Sequence, residues 1–423
     1  MLAILSVVAQ PAQADITVWL DFTSDLQDGN GNQGANGQAD WIQELNQATA
    51  SAGVANFSTA ERALIESEIL SQLNTIYADY RVDFTTTDPG GSFDTIYFGV
   101  EPPQNGVLGF APLDIGNQFT GQLTNVAPES FGFFIESGDA RVDQIAEITA
   151  GLAGTAAHEL GHSVGLLHHH VYSDPGITPA TYANTNGLQN QYILATGSTG
   201  LTEQGRETLR SFSPFEQVML DITGGSQAVF AGQDNDSLVL NPVFSDRGEN
   251  NGADAGATID TAYSLTSTVG ETSGYDIWFA EADLDGSGAD IDVFELTVTQ
   301  PGQFSAHVYS STLVYGPGAE FDPQIELLNS NGTVVASNDD VRYDGNTYDS
   351  GTVRSLDSFL NNITLANTGT YYLRVTGVAD TEVGSNYWVV AAHSPEPSSF
   401  FLMLLAGTTM VNRRRKRHEA ATA

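Results

Sequence analysis

One stretch constrains this chain more than any other: His158-Glu159-Leu160-Gly161-His162-Ser163-Val164-Gly165-Leu166-Leu167-His168. Residues four apart on an α-helix share a face, so His158 and His162 can present two imidazoles to one point. Glu159 lies one step round the helix and can reach a water held at that point. Gly165 can take the left-handed conformation that ends a helix and turns the chain back. His168 is then placed to supply a third nitrogen. Three imidazoles and one open position suit a catalytic zinc, whereas a structural zinc is closed by four protein ligands. The competing reading is a buried structural cluster. Five of the eight histidines lie between 158 and 170, in a run of Gly, Ala and Leu, and so many imidazoles in an apolar setting would each need a partner. Nothing in the spacing brings His169 or His170 into the ligand set.

The pattern HExxHxxGxxH resembles that of the metzincin clan of zinc peptidases. The resemblance implies zinc on His158, His162 and His168, with Glu159 as the general base. It also implies a tight turn beneath the zinc-binding imidazoles, which in the clan carries a methionine. The matching stretch is Tyr192-Ile193-Leu194-Ala195-Thr196-Gly197, with Leu194 in the methionine's place. Leucine is apolar and of similar volume, and such an exchange costs little in a core. Some subfamilies place a tyrosine near the zinc two residues later. Thr196 stands there in this chain, which leaves the open position to water.

The chain is long enough, at 423 residues, for two or three domains. Its charge is lopsided: 14 basic against 52 acidic residues, for a net charge of −38. Such a surface repels nucleic acid and anionic membranes and suits calcium or a salty medium. There is no cysteine, which removes disulfides, thiolate metal ligands and cysteine-based latency.

Taken in order, residues 1–14 form an apolar run ending in Ala12-Gln13-Ala14, the pattern of a signal peptide cleaved before Asp15. A strand is expected at 15–22 and a Gly/Asn-rich loop at 28–40. Ser58-Thr59-Ala60-Glu61 is a capping box opening a helix with Leu64, Ile65, Ile69, Leu73 and Ile76 on its apolar positions. Strands are expected at 82–86 and 95–100, with more between 107 and 135. One of these would be the edge to which a peptide substrate adds as a further strand; residues 131–135 are one candidate. The long active-site helix is expected from about 138 to 164, capped by Asp139, with Val142, Ile145, Ile148 and Leu152 as its stripe. Ser213-Pro214-Phe215-Glu216 starts the helix that closes this domain.

Residues 225–256 shift to Gly, Asn, Asp and Ser and read as a linker with short strand material at 228–230 and 238–240. From about 257 the pattern becomes short alternating strands, at 291–298, 302–309, 324–328, 333–336, 370–375 and 387–392, in the manner of a β-sandwich. The elements Asp290-Ile291-Asp292-Val293-Phe294, Pro301-Gly302-Gln303, Asn338-Asp339-Asp340 and Gly369-Thr370-Tyr371-Tyr372-Leu373-Arg374-Val375 resemble the bacterial pre-peptidase C-terminal domain over most of 257–393. The resemblance implies a small jelly-roll-like module beside a secreted peptidase. Asp283-Leu284-Asp285-Gly286-Ser287-Gly288, followed by Asp290 and Asp292, looks like a calcium loop but lacks the acidic residue usual at the twelfth position. Residues 394–423 join Pro395-Glu396-Pro397, an apolar run at 400–411 and the basic cluster from Arg413 to Arg417. This tail resembles the PEP-CTERM sorting signal, which implies processing by an exosortase, transient membrane anchoring and an extracellular polysaccharide setting.

The expected fold is therefore multidomain. An α+β zincin-like (metzincin) catalytic domain at 15–224 is followed by an all-β jelly-roll-like sandwich at 257–393. The expected function is zinc-dependent hydrolysis of a protein or peptide at the cell surface or outside the cell. An inactive surface or matrix-binding protein that keeps the zinc-site fold is the alternative.

Overall fold

A computed structural model of the chain describes residues 16–26, 37–80, 82–100, 107–114, 121–168, 192–195, 208–223, 255–270, 273–284, 290–310, 322–339, 357–377 and 385–395. Residues 1–14, expected as a signal peptide, Thr196, Asp285, Ser287, the strand material expected at 228–230 and 238–240 and residues 396–423 of the expected sorting tail lie outside these residues. No helix among the described residues is long and apolar enough to cross a membrane.

The N-terminal part is built on a five-stranded sheet. Its strands are β1 (Ile16–Asp21), β2 (Val82–Thr85), β3 (Asp94–Phe98), β4 (Gly109–Phe110) and β5 (Leu123–Val126), in the order β2-β1-β3-β5-β4. All neighbours are parallel except β4, which runs antiparallel to β5 at the edge. Parallel neighbours need crossovers, and helices α1 (Asp40–Ser51), α2 (Thr59–Ile76) and α3 (Arg141–Ser163) occupy the intervals between strands or follow the last of them. Strand residues Val18, Leu20, Ile96, Phe98 and Val126 share one buried cluster with Trp41 and Leu45 of α1, Ile65 and Ile69 of α2, and Ile148 and Leu152 of α3. The capping box of α2 forms as its sequence demands. Ser58 N–H donates to the Glu61 carboxylate, and Glu61 N–H returns a bond to Ser58 Oγ.

Several expectations need correction. Helix α1 was hidden behind the Gly/Asn-rich stretch. It starts at Asp40, whose buried carboxylate accepts from Leu26 N–H and from the Tyr97 hydroxyl. Helix α3 starts at Arg141 rather than near 138, after Ala140 in extended conformation and without a side-chain cap. The Asp139 side chain is not needed there: Gln144 reaches back to the carbonyl of Glu136 at 2.8 Å. In that first turn Val142 faces solvent, at 69% exposure, and Leu64 of α2 is likewise exposed. Residues 131–135 form no edge strand. Pro128–Phe134 is a 3₁₀ helix, in which residues three apart eclipse. Phe131 and Phe134 therefore stack, centroids 5.4 Å apart, and both are fully buried.

The C-terminal part is two facing sheets. One has the order β13-β10-β15-β8-β7 and the other β12-β11-β14-β9-β6. The first comprises β7 (Thr268–Val269), β8 (Asp276–Leu284), β10 (Gly302–Ser310), β13 (Ser358–Leu365) and β15 (Ser385–Pro395). The second comprises β6 (Tyr263–Ser264), β9 (Ile291–Val298), β11 (Pro323–Asn329), β12 (Val334–Asn338) and β14 (Gly369–Gly377). Strands β8 and β13 had no counterpart among the sequence-read strands. The last strand runs on to Pro395, which pairs with Gly302. Alternate residues Trp278, Ala280, Ala282, Phe304, Ala306, Val389 and Ala391 meet Phe294, Leu296, Ile325, Leu327 and Leu373 between the sheets.

The first sheet is apolar on its other face too. Ile277, Phe279, Tyr309, Phe359, Trp388, Val390 and Ala392 belong to the same buried cluster as the N-terminal part. Helix α4 (Pro214–Thr223) makes the join. Phe215 meets Phe359 edge to face at 5.1 Å, and Asp221 accepts the Ser273 N–H at 2.9 Å. Strand β15 thus does not alternate as the sequence reading assumed. Its run Trp388-Val389-Val390-Ala391-Ala392 is apolar throughout because both faces are covered.

Candidate metal centre

Helix α3 delivers His158, Glu159 and His162, and its C-terminus delivers His168. Val164 is the last half-helical residue, and Gly165 follows at φ 92°. Leu166 N–H then donates to the Gly161 carbonyl at 2.8 Å, and Gly165 N–H to the His162 carbonyl at 3.0 Å. These are the paired bonds of a Schellman turn, which glycine closes without strain. The turn reverses the chain and buries Leu166, Leu167 and His168.

The three imidazoles converge. His158 Nε2 lies 3.2 Å from His162 Nε2 and 3.2 Å from His168 Nε2. Among the described residues this is the one group of His, Cys, Asp or Glu whose donor atoms could share a metal ion. A tetrahedral zinc with bonds of 2.0–2.1 Å would hold its nitrogens about 3.3 Å apart. The tautomers fit as well. His158 Nδ1 lies 2.7 Å from the Ile193 carbonyl, and His162 Nδ1 lies 2.8 Å from the Leu166 carbonyl. A carbonyl can only accept, so each Nδ1 carries the proton and each Nε2 turns a lone pair inward. Lone pairs facing one another at this distance repel unless a cation lies between them, so the donor set fits a divalent metal.

Glu159 is buried at 8% exposure, and the edge strand β4 passes directly over it. A Cβ on Gly109 would stand 2.7 Å from Glu159 Cγ. Beyond β4, Asp114 N–H donates to the His162 carbonyl at 3.1 Å, tying the edge segment to the helix end. Below, the Tyr77 hydroxyl donates to the Ala157 carbonyl at 2.9 Å. Burial, with Tyr80 and Glu216 adding, pushes the Tyr77 phenol well above its usual pKa, so it stays a donor. A buried Thr124–Ser163 hydroxyl pair, 2.8 Å apart, fastens α3 to β5.

Leu194, expected in the turn, lies against Gly161 of α3. It is fully buried, and its δ carbons would lie 3.0 and 3.2 Å from a Cβ placed on Gly161. It therefore packs against the helix between the two ligand histidines. Of the residues expected to bind calcium, Asp283, Asp290 and Asp292 fall on described backbone. Asp283 falls at the end of β8, paired with Asn386. Asp290 caps the Ile291 N–H, and Asp292 is fully buried and accepts the Tyr387 hydroxyl. Asp285 and Ser287, the middle of the expected loop, lie outside the described residues.

Sequence reasoning passed over Tyr77, Gly109, Asp114 and Arg210. Each meets a backbone group at a site set by the path of the chain, and such contacts leave no residue-type pattern in a sequence. Only Arg210, a buried cation in a chain with 14 basic residues, offered a compositional signal.

No family model and no curated protein matches the chain. Among solved structures, it is similar to the pre-peptidase C-terminal domain of a collagenase from Bacillus anthracis, with 16% identity, 30% of this chain and 92% of that one covered, and a TM-score of 0.19. It is also similar to high choriolytic enzyme 1, a hatching-enzyme zinc protease of the medaka fish Oryzias latipes. There the identity is 18%, the coverage 28% of this chain and 44% of that one, and the TM-score 0.15. A carbohydrate-binding module in complex with calcium and xylotriose matches at 18% identity over 26% of this chain and 78% of that one, with a TM-score of 0.17. Each superposition is partial.

Proposed function

We propose that this chain is an exported, zinc-dependent endopeptidase of metzincin type. The observation that carries the reading is the convergence of the His158, His162 and His168 Nε2 atoms beside a buried carboxylate and beneath a sheet edge. Those nitrogens would hold a zinc ion, which would supply Lewis acidity towards a carbonyl oxygen and a bound water. Strand β4 has no described neighbour on its outer side, so an extended peptide can add there through main-chain hydrogen bonds. Glu159 takes the proton of the attacking water and delivers it to the departing amine. The Ile193 and Leu166 carbonyls hold the histidine rings in the required tautomer throughout. Residues 1–14 serve export, and residues 394–423 serve exosortase-dependent sorting to a polysaccharide-rich surface.

The deciding experiment pairs the parent with E159Q on an unstructured substrate such as casein, with zinc content measured on both. Zinc retained with proteolysis reduced by about 10²-fold or more is the expected result, within the range of general-base losses. Equal rates of casein degradation would refute the assignment. Leu194 in place of methionine favours a second reading, a zinc-retaining surface-binding protein without activity. Zinc in the parent without cleavage of any peptide in a library supports that alternative.

A further inference from the structure

The turn that carries Leu194 is held from one side by a two-residue segment. Ile193 N–H donates to the Ser211 carbonyl at 3.0 Å, and Tyr192 and Ser211 form a β-bridge. On the carbonyl side, Arg210 Nη1 lies 3.2 Å from the Tyr192 oxygen and 3.4 Å from the Ile193 oxygen. That Ile193 oxygen is the acceptor of His158 Nδ1. Both polar groups of the Ile193 peptide are thus fixed by Arg210-Ser211, and its two lone pairs receive one imidazole and one guanidinium.

We infer that Arg210 is a positioning residue for the metal centre, fixing the carbonyl that orients and tautomerises His158. Arg210 is itself buried, at 7% exposure. A buried cation is costly to keep unless it is satisfied, and here one guanidinium nitrogen, Nη1, is shared between two adjacent carbonyls of the turn. Without it, the turn retains its amide anchor at Ser211 but loses its carbonyl anchor. The acceptor of His158 can then drift, and the Nε2 lone pair leaves the common point. Groups that orient a metal-binding histidine contribute about 10- to 100-fold to metal affinity.

The inference rests on the zinc reading, so the test reads metal binding directly. Zinc dissociation constants of the full chain, its R210A and R210K variants and an R374A control are measured by competition with a chromophoric chelator. Cobalt(II) absorption spectra and melting of the metal-free proteins accompany them. R210A is expected to weaken zinc about tenfold or more and to alter the cobalt spectrum. R210K is expected to recover part of the loss, and R374A to match the parent. Should R210A fail to fold, R210M, which keeps the side-chain length but has no donor, is measured in its place. A folded R210A or R210M that binds zinc within twofold of the parent overturns the inference and leaves the zinc reading intact. A parent that binds no zinc overturns both.

Discussion

Replacing Gly109 with alanine places one methyl group where the edge strand crosses Glu159, the proposed general base. Its nearest neighbours would be Glu159 Cγ at 2.7 Å, the Asn125 carbonyl oxygen at 2.8 Å and Thr155 Cγ2 at 3.0 Å. The Asn125 oxygen belongs to β5, whose ladder to β3 on its other side limits its movement. The Glu159 side chain is the softer neighbour. To reach ordinary contact it must retreat by about 0.7 Å, from 2.7 Å to 3.4 Å. A misplacement of about 1 Å at a reacting group can cost on the order of 100-fold in rate. G109A is therefore expected to lower kcat by about 10- to 100-fold. KM is expected to change much less, because the main-chain groups of β4 remain. Zinc affinity should match the parent, since none of the three atoms nearest that methyl belongs to a histidine. Crowding of this kind also costs about 1–3 kcal/mol of stability, visible as a lower melting temperature. Steady-state kinetics on a quenched peptide, with zinc titration alongside, separates these effects. A G109A protein with full kcat and a lowered melting temperature would show that the strand yields rather than the carboxylate, and the positional argument would fail.

Other consequences can be measured on the same preparation. Leu194→Ala should leave a cavity under Gly161 and cost about 2–5 kcal/mol, while Leu194→Met, a volume-conserving exchange, should cost less than about 1.5 kcal/mol; urea midpoints decide, and equal losses would contradict the packing assigned to Leu194. Phe215→Ala should cost about 3–5 kcal/mol, and because Phe215 packs on Phe359 the variant should melt at a lower temperature in both parts of the molecule together; an unchanged sandwich transition would show that the seam is not coupled. His307 is fully buried against Tyr309 and Phe359, and burial lowers its pKa from 6.5 to about 3. The unfolded chain therefore takes up a proton below pH 6.5 that the folded one refuses until about pH 3. Stability is complete above pH 6.5 and falls by about 1.4 kcal/mol per pH unit through that window; His307→Phe should remove this contribution to the slope, and parallel pH profiles for the two proteins would refute it.

What the sequence disclosed follows from where each interaction is encoded. The convergence of His158, His162 and His168 was legible because these side chains stand at offsets set by one helix and one glycine turn, and residue types record such offsets directly. The capping boxes at Ser58 and Ser213 were legible for the same reason, and both form. The groups that hold those ligands in place were not legible. The Ile193 and Leu166 carbonyls, the Gly109 backbone and the Ser211 oxygen belong to any residue type, so only the path of the chain reveals them. The 3₁₀ segment misled because Phe131, Phe133 and Phe134 favour strands by type, whereas Pro128 and the stack on α3 decide the local conformation. The most informative oversight was β15. A strand exposed on one face would alternate, and Trp388-Val389-Val390-Ala391-Ala392 does not. That run already implied a second covering layer, and Phe215 and its neighbours on α4 belong to the cluster that supplies it. Helix α4 begins three residues after Ser211, the anchor of the turn beneath His158. The apolar back of the sandwich and the floor of the metal centre are thus joined by one short segment. Cutting the sandwich away would expose Trp388, Val390 and Phe359 to water on one side and Phe215 on the other. For that reason a module of this kind is better understood here as part of the scaffold of the site than as a detachable appendage.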